Sequence, residues 1–341
     1  MRVLILGAGL AAHLANSAFK GEEVAVLDEE SRTNINYIPP EKLAVFRFKT
    51  ANVSNYLSIP LQKVQVQKSI CLSQGQLVDQ PTIAANNAYS YKTSGTILPK
   101  SLMDCGIVER YVIPGVHNKG LYINPPISNL VKYKKILKID KGSMIIKDTS
   151  DNIRPIDYDI CINTAPIKWL VDIIAGGSPF ETHSLPIFIT KFDLTLNSKV
   201  YQTIYFPFMY PHRYLYRATL EGHYMIIESM AWFESKKDTD MAIERVMKEF
   251  GLSGSDVWKE SLSTRHLASG KLVPSNDTER RGLIRMLTMD YSIYSLGRFA
   301  IWKPIKIDEI IQDLQRIQAM VHYDKISQQY HNALAKQEGD E

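Results

Sequence analysis

The chain has 341 residues, 45% of them hydrophobic and 22% charged, with a formal net charge of +4. Those figures exclude a disordered polyelectrolyte and a low-complexity chain, and the length leaves room for two domains or for one large domain with an insertion. So mild a charge permits an anionic ligand or DNA as partner without demanding one, and the clusters Lys132-Lys134-Lys135 and Arg280-Arg281 read as solvated surface.

Residues 2–29, RVLILGAGLAAHLANSAFKGEEVAVLDE, carry the first informative pattern. Arg2 to Leu6 is an apolar run of the kind buried on both faces of a parallel sheet. Gly7-Ala8-Gly9 predicts a tight turn, Leu10 to Phe19 a helix ended by Gly21, and Glu23 to Leu27 a second strand. Asp28 stands at the end of that strand, with Glu29 beside it. Strand, glycine turn, helix, strand and acid in that order form a dinucleotide fingerprint. Gly7 supplies the turn, and Gly9 lets the backbone approach a pyrophosphate. The helix start at Leu10 and Ala11 offers that anion free N–H groups and the positive end of its dipole. Ala12 holds the third glycine position and still permits close packing of helix on strand. Asp28 can accept hydrogen bonds from a ribose. The bland alternative is a buried strand-helix-strand unit that binds nothing.

The apolar start is too short to span a bilayer and shows no cleavable signal pattern. Three cysteines, Cys71, Cys105 and Cys161, form no CxxC pair, which argues for a reducing compartment and against structural zinc. A cytoplasmic protein without membrane contact is expected. After Asp28 the sequence ESRTNINYIPPEKLAVFRFKT is polar and proline-broken, unlike a nicotinamide dehydrogenase, which continues with further βα units.

Residues 51–120 show little of that pattern; Tyr89, Tyr91 and Lys92 form a weak aromatic-basic cluster there. KKILKIDKGSMIIKD, residues 134–148, predicts two short strands. YDICINTAPIKWL, residues 158–170, predicts a buried strand ending at Thr164-Ala165-Pro166. Further on, KFDLTLNS, YQTIYFPFMYP, HRYLYRATLEG and HYMIIESMAWF are aromatic and strand-like, with turns at Asn197-Ser198, Pro211-His212 and Glu221-Gly222, and predict an antiparallel sheet. Tyr205, Tyr210, His212, Arg213, Tyr214 and Arg217 are candidates to line a pocket for a planar or anionic substrate, although strand alternation lets only some point inward. Asp238 to Phe250 reads as a structural amphipathic helix. The stretch SLGRFAIWKPIKIDEIIQDL, residues 295–314, pairs Gly297-Arg298 with a Trp302-Lys303 corner and a helix from about Ile307. The tail HNALAKQEGDE is expected to fray. No Ser-His-Asp or Cys-His set and no histidine cluster of metal-ligand spacing stands out, so no metal is expected.

This order of pieces resembles the flavoprotein group that contains amine oxidases, protoporphyrinogen oxidases and UDP-galactopyranose mutases. The resemblance rests on the glycine turn, the strand ending at Thr164-Ala165-Pro166, and the Gly297-Arg298-x-Ala300 segment before the last helix. It implies an α/β fold: a Rossmann-like FAD-binding domain (1–50, 120–172 and 290–325) interleaved with an α+β substrate domain containing an antiparallel sheet (51–119 and 173–289), then a tail from 326. It also implies FAD as cofactor, held by Thr164, Pro166, Gly297, Arg298, Trp302 and Lys303 besides the first turn. Arg298 would neutralise a phosphate or hold the loop against the flavin ring. The last helix would aim its start at the flavin's N1–C2=O edge, with Asp308 as its cap. Lys271, in ASGKLVP, is similar to the lysine that many amine oxidases place near flavin N5 to hold a water. The usual Gly-Gly pair after the second strand is missing.

The implied function is oxidation of a C–N bond by hydride transfer to the flavin. Two alternatives stay open. One is a mutase-like nonredox flavoenzyme taking a nucleotide sugar through Arg213, Arg217 and Arg265; the other is a non-catalytic nucleotide-binding module. LTMDYSIYSLGRFAIWKP and NNAYSYKTSG also resemble segments of bacteriophage-encoded FAD-binding proteins, which implies an amino-acid adduct on a modified DNA base as a substrate class.

Overall fold

The computed structural model describes residues 1–30, 37–38, 48–98, 103–114, 121–123, 127–177, 180–196, 200–209, 213–231 and 236–338. Among these, two large sheets of seven and eight strands organise the fold.

The seven-stranded sheet has Arg2–Leu6 near its middle. Glu23–Glu29 and Ile160–Asn163 flank it in parallel, and Leu130–Asp140 and Ile293–Ser295 extend the parallel set on either side. Ser143–Asp148 and Ile153–Asp157 add an antiparallel edge beyond Leu130–Asp140. The expected pair of strands at 134–148 is present as Leu130–Asp140 and Ser143–Asp148, and Ile153–Asp157 extends it to a three-stranded meander. Val3, Leu4, Ile5 and Leu6 are all buried, as a strand covered on both faces requires. Val3 and Ile5 face a core shared with the Leu10–Ala18 helix and the last helix; Leu4 and Leu6 face one shared with the Ile167–Ala175 helix.

The eight-stranded sheet runs Val257–Leu272, Ser184–Leu194, Tyr224–Ser229, Leu215–Glu221, Tyr201–Tyr205, Gln62–Cys71 and Leu77–Val78, with Gly106–Val112 also paired to Gln62–Cys71. It is antiparallel except where Tyr201–Tyr205 lies parallel to Gln62–Cys71. That one parallel pair joins two stretches far apart in the chain. The Lys236–Glu249 helix covers one face through Ile243, Val246 and Met247. The opposite face carries Ile70, Tyr205, Tyr216 and Ile226, with Tyr89 of the Ile83–Ser94 helix packed on it.

The last helix runs from Ile307 to Glu338. It therefore continues through the segment expected to fray. That segment holds no proline, and its glycine comes only at position 339, so nothing in the sequence breaks the helical run before then. No described helix is long and apolar enough to cross a membrane. Cys71, Cys105 and Cys161 are all free thiols.

Candidate active site

Gly7 adopts φ +91°, and a Cβ placed there would stand 2.7 Å from Thr164 Oγ1. Only glycine fits both the left-handed backbone and that neighbour. The Gly7 N–H donates to the Leu27 carbonyl at 2.7 Å, while the Thr164 N–H and hydroxyl donate to the Leu6 carbonyl at 3.0 and 2.5 Å. Thr164 thus closes on the glycine turn from the adjacent strand.

Gly9 precedes the Leu10–Ala18 helix, which has no side-chain cap and no acid in its first turn. A Cβ on Gly9 would meet nothing within 4 Å. The first N–H groups of this helix have no partner inside it and stand at the positive end of the helix dipole. Ala12 is fully buried where helix and strand meet.

The far end of the chain meets this turn. Gly297 has φ +94°, and a Cβ there would lie 3.0 Å from the Ala11 Cβ. Leu296 N–H donates to the Asn163 carbonyl at 2.8 Å. Asn163 folds its amide over Ala165 through bonds of 3.1 and 3.0 Å, fixing the turn that leads to Pro166. The 163–166 and 296–298 turns therefore converge on the start of the first helix.

Asp28 is 4% exposed and receives Lys132 Nζ at 3.2 Å; the same ammonium donates to the Glu29 carbonyl at 2.9 Å. Lys132 is accordingly bound to the acid of the fingerprint instead of lying free on the surface. Arg280 is likewise no surface residue. It is buried, pairs with Asp277 and donates to the Ile301 carbonyl at 3.0 Å, bracing the turn that carries Gly297 and Arg298. The free Cβ position at Gly9, the helix start without a side-chain cap and the carboxylate at the strand end are compatible in chemistry with a dinucleotide.

Arg298 is half-buried, with its guanidinium carbon 4.7 Å from the Phe299 ring centroid and no carboxylate partner among the described residues. Burial lowers its pKa, with the Tyr216 phenol opposing. Trp302 is 7% exposed with φ +44°, and its indole N–H donates to the Val273 carbonyl at 3.1 Å. It ties the turn to the end of the Val257–Leu272 strand from within the core. Pro166 and Trp302 also line an open groove of about 400 Å³ with Trp169 and Phe299. Lys303 is exposed, and its backbone N–H donates to the Arg298 carbonyl at 3.0 Å.

On the larger sheet, Lys271 Nζ lies 4.4 Å from the centroid of the Tyr216 ring. A bulge between Leu215 and Arg217 lets consecutive residues Tyr216 and Arg217 both address Glu228. The Tyr216 hydroxyl and Arg217 Nη2 each reach Glu228 Oε1 at 2.8 Å, and Arg217 Nε binds Oε2. Burial alone would lower the Arg217 pKa; Glu228 outweighs it and holds the guanidinium well above its ordinary value. Tyr205 is buried edge-on to Tyr89 with centroids 5.4 Å apart, and burial pushes its phenol up to about 12. It supports the floor of the cluster instead of lining a surface. Arg213 is exposed over the Tyr214 ring, Arg265 is exposed on its strand, and His212 lies outside the described residues.

A second charged cluster went unread in the sequence. Lys68 Nζ lies 3.5 Å from Asp104 Oδ2, which also pairs with Arg110, and the Lys68 and Arg110 side chains are 7% and 8% exposed. The signal was the alternation Val64, Val66, Lys68, which places a lysine on the buried side of its strand. Phe48 bridges to Tyr111, and Asp308 accepts the Lys49 and Thr50 N–H groups at 2.9 Å each. Both anchors hold Lys49 beside Arg110 and Lys306. Asp308 is thus a clamp on another segment; Glu309 is the residue that accepts the Lys306 N–H, at 2.8 Å. Burial alone would raise the Asp104 pKa, but Lys68, Arg110, Lys306 and Lys49 together hold it below the usual value. Among the described residues no group of side chains is arranged to hold a metal ion.

No protein-family model matches the chain, and no curated protein matches it. Solved structures share its fold. An oxidoreductase from Methanosarcina mazei superposes with a TM-score of 0.55 at 11% identity, over 94% of this chain and 100% of that one. Putrescine oxidase bound to putrescine superposes with a TM-score of 0.54 at 10% identity, over 95% of this chain and 99% of the other. The chain folds as these oxidoreductases do, a mixed α/β architecture of parallel and antiparallel sheets.

Proposed function

We propose that this chain is an FAD-dependent oxidoreductase that oxidises the C–N bond of an amine-type substrate. The observation that carries the reading is the contact of Gly297 with Ala11 beside the open space over Gly9. It sets Arg298, which has no carboxylate partner among the described residues, and the ends of two strands around a helix start without a side-chain cap. In this reading the seven-stranded sheet belongs to a cofactor domain and the eight-stranded sheet to a substrate domain, each assembled from separated segments.

The Leu10–Ala18 helix start and Gly9 hold the pyrophosphate, and Asp28 shares its carboxylate between Lys132 and a ribose hydroxyl. Arg298 supplies positive charge to the cofactor. FAD, when bound, supplies the hydride acceptor. Lys271 holds a water at Nζ above Tyr216, and the Tyr216–Arg217–Glu228 set fixes that ring in place. The amine loses a hydride from carbon and a proton from nitrogen, and water then hydrolyses the imine. An amino-acid adduct on a modified base falls within this class. The mutase alternative draws less support, because Arg217 is engaged by Glu228 and Arg213 by the Tyr214 ring.

The test is direct. The purified full chain is expected to be yellow or to take up FAD, and to form peroxide when amines are added under oxygen. Colourless protein that takes up no FAD sinks the reading.

A further inference from the structure

Two cations of the missed cluster lie beneath the surface and two at its rim. Lys68 and Arg110 project from neighbouring strands onto one carboxylate, Asp104. Lys49 and Lys306 are exposed beside them, placed by the Phe48–Tyr111 bridge and the Asp308 clamp. Asp104 keeps 31% of its side chain exposed, so solvent reaches the buried pair. Among the described residues, Asp308 and Glu309 accept backbone N–H groups and lie at the rim as counter-charges to Lys49 and Lys306, while Glu228 pairs with Arg217, Glu109 with Lys63, and Asp79 accepts the Ser69 hydroxyl. Lys68 and Arg110 thus share one partly open carboxylate, with Lys49 and Lys306 at the rim. Among the described residues, two buried cations on a single partly open carboxylate leave one positive charge unmatched, an arrangement suited to an anion that arrives from outside.

We infer that the substrate of this chain carries an oxyanion, a carboxylate or a phosphate, and that Lys68 and Arg110 with Lys49 and Lys306 at the rim receive it. The inference rests on the amine-oxidising reading and narrows it. A polyamine such as the putrescine on the similar fold carries only positive charge, and this cluster repels it.

The experiment titrates the FAD-supplemented full chain with succinate, inorganic phosphate and putrescine by calorimetry. It does so for the parent, for Lys306→Gln and Arg110→Gln, and for Gly9→Val in the glycine turn. Succinate or phosphate is expected to bind, and each cluster substitution to weaken it about tenfold to a hundredfold, the loss of one charge-assisted hydrogen bond. Binding of succinate alone assigns a carboxylate, and of phosphate alone a phosphate. The inference is overturned if neither anion binds, if binding survives both cluster substitutions, or if putrescine binds more tightly than either. Phosphate binding lost in Gly9→Val but kept in Lys306→Gln overturns it as well, because the anion then sits on the turn. Should Arg110→Gln lower the melting temperature, the exposed pair Lys49→Gln and Lys306→Gln decides. FAD uptake is read separately, so failure of the flavin reading leaves the anion result standing.

Discussion

Two glycines two residues apart illustrate how a single position can serve the fold or a ligand. Gly7 is demanded by the chain itself, since its left-handed backbone and the nearby Thr164 hydroxyl leave no room for a side chain. Gly9 has an ordinary φ of −84° and an empty neighbourhood. Gly7→Ala is therefore expected to cost about 2 kcal/mol or more in a urea melt. Gly9→Val is expected to leave the melting curve within about 0.5 kcal/mol of the parent and still reduce FAD retention. A Gly9→Val protein that melts early would show that the space over Gly9 serves folding and not a ligand. Both glycines were legible in the sequence because the spacing of the turn is local. Lys132 was not, since its bond to Asp28 depends on the parallel pairing of two strands 104 residues apart.

At the scale of elements, the 16-residue strand Val257–Leu272 decides how Lys271 is presented. A Cβ on Gly270 would fall 2.3 Å from Ile187 Cγ1, at the register shift between Leu185 and Ile187. Gly270→Ala should therefore cost about 1–3 kcal/mol through overpacking. Adding Ile187→Ala removes the Cγ1 and Cγ2 atoms at 2.3 and 2.8 Å and leaves only Cβ at 2.9 Å, so the double substitution is expected to cost about 1 kcal/mol less than the sum of the singles in a double-mutant cycle. Additive losses would mean that the glycine is needed for its backbone alone. The strand-helix-strand opening, the helix at 236–249 and the last helix follow local periodicity, so the sequence announces them. The Ile83–Ser94 helix does not announce itself: it is short of apolar residues and is held by Lys92, whose ammonium donates to the Phe206 and Leu215 carbonyls at 2.8 and 3.0 Å. The partner of Arg217 was hidden for another reason, because a β-bulge shifts which side chains share a face and alternation counting assumes none.

Over the whole molecule, buried ionisable groups set the pH at which the fold is most stable. Burial lowers Lys68 and Lys92 from 10.5 to about 8. Around Lys68, Arg110, Arg217 and Lys306 add to the lowering and Asp104 opposes it. A lysine whose folded pKa is depressed binds fewer protons in the native state, so stability rises with pH from about 8 toward 10.5. The thiols act in the opposite sense: burial raises Cys71 from 9.0 to about 12, Cys105 to about 11 and Cys161 as well, so three thiols outweigh the two lysines and stability falls once pH passes 9. The urea midpoint is expected to rise from pH 7.5 to a maximum near about 9 and then decline. Lys68→Met combined with Lys92→Met should flatten the rising limb. A midpoint that falls steadily from pH 7.5 would contradict the burial of both lysines.

The meeting of Gly297 with Ala11 also fixes an order of events during synthesis. At typical translation speeds the first glycine turn leaves the ribosome on the order of half a minute before residue 297 does. Throughout that interval the Arg2–Leu6 strand can pair with Glu23–Glu29, yet the wall that completes the turn has not been made. Any cofactor reaching the nascent chain finds a cradle with one side missing. On the proposed flavin reading, loading waits for residue 297, and a chain stopped before it should leave the ribosome unable to retain FAD, however well its first strands have paired.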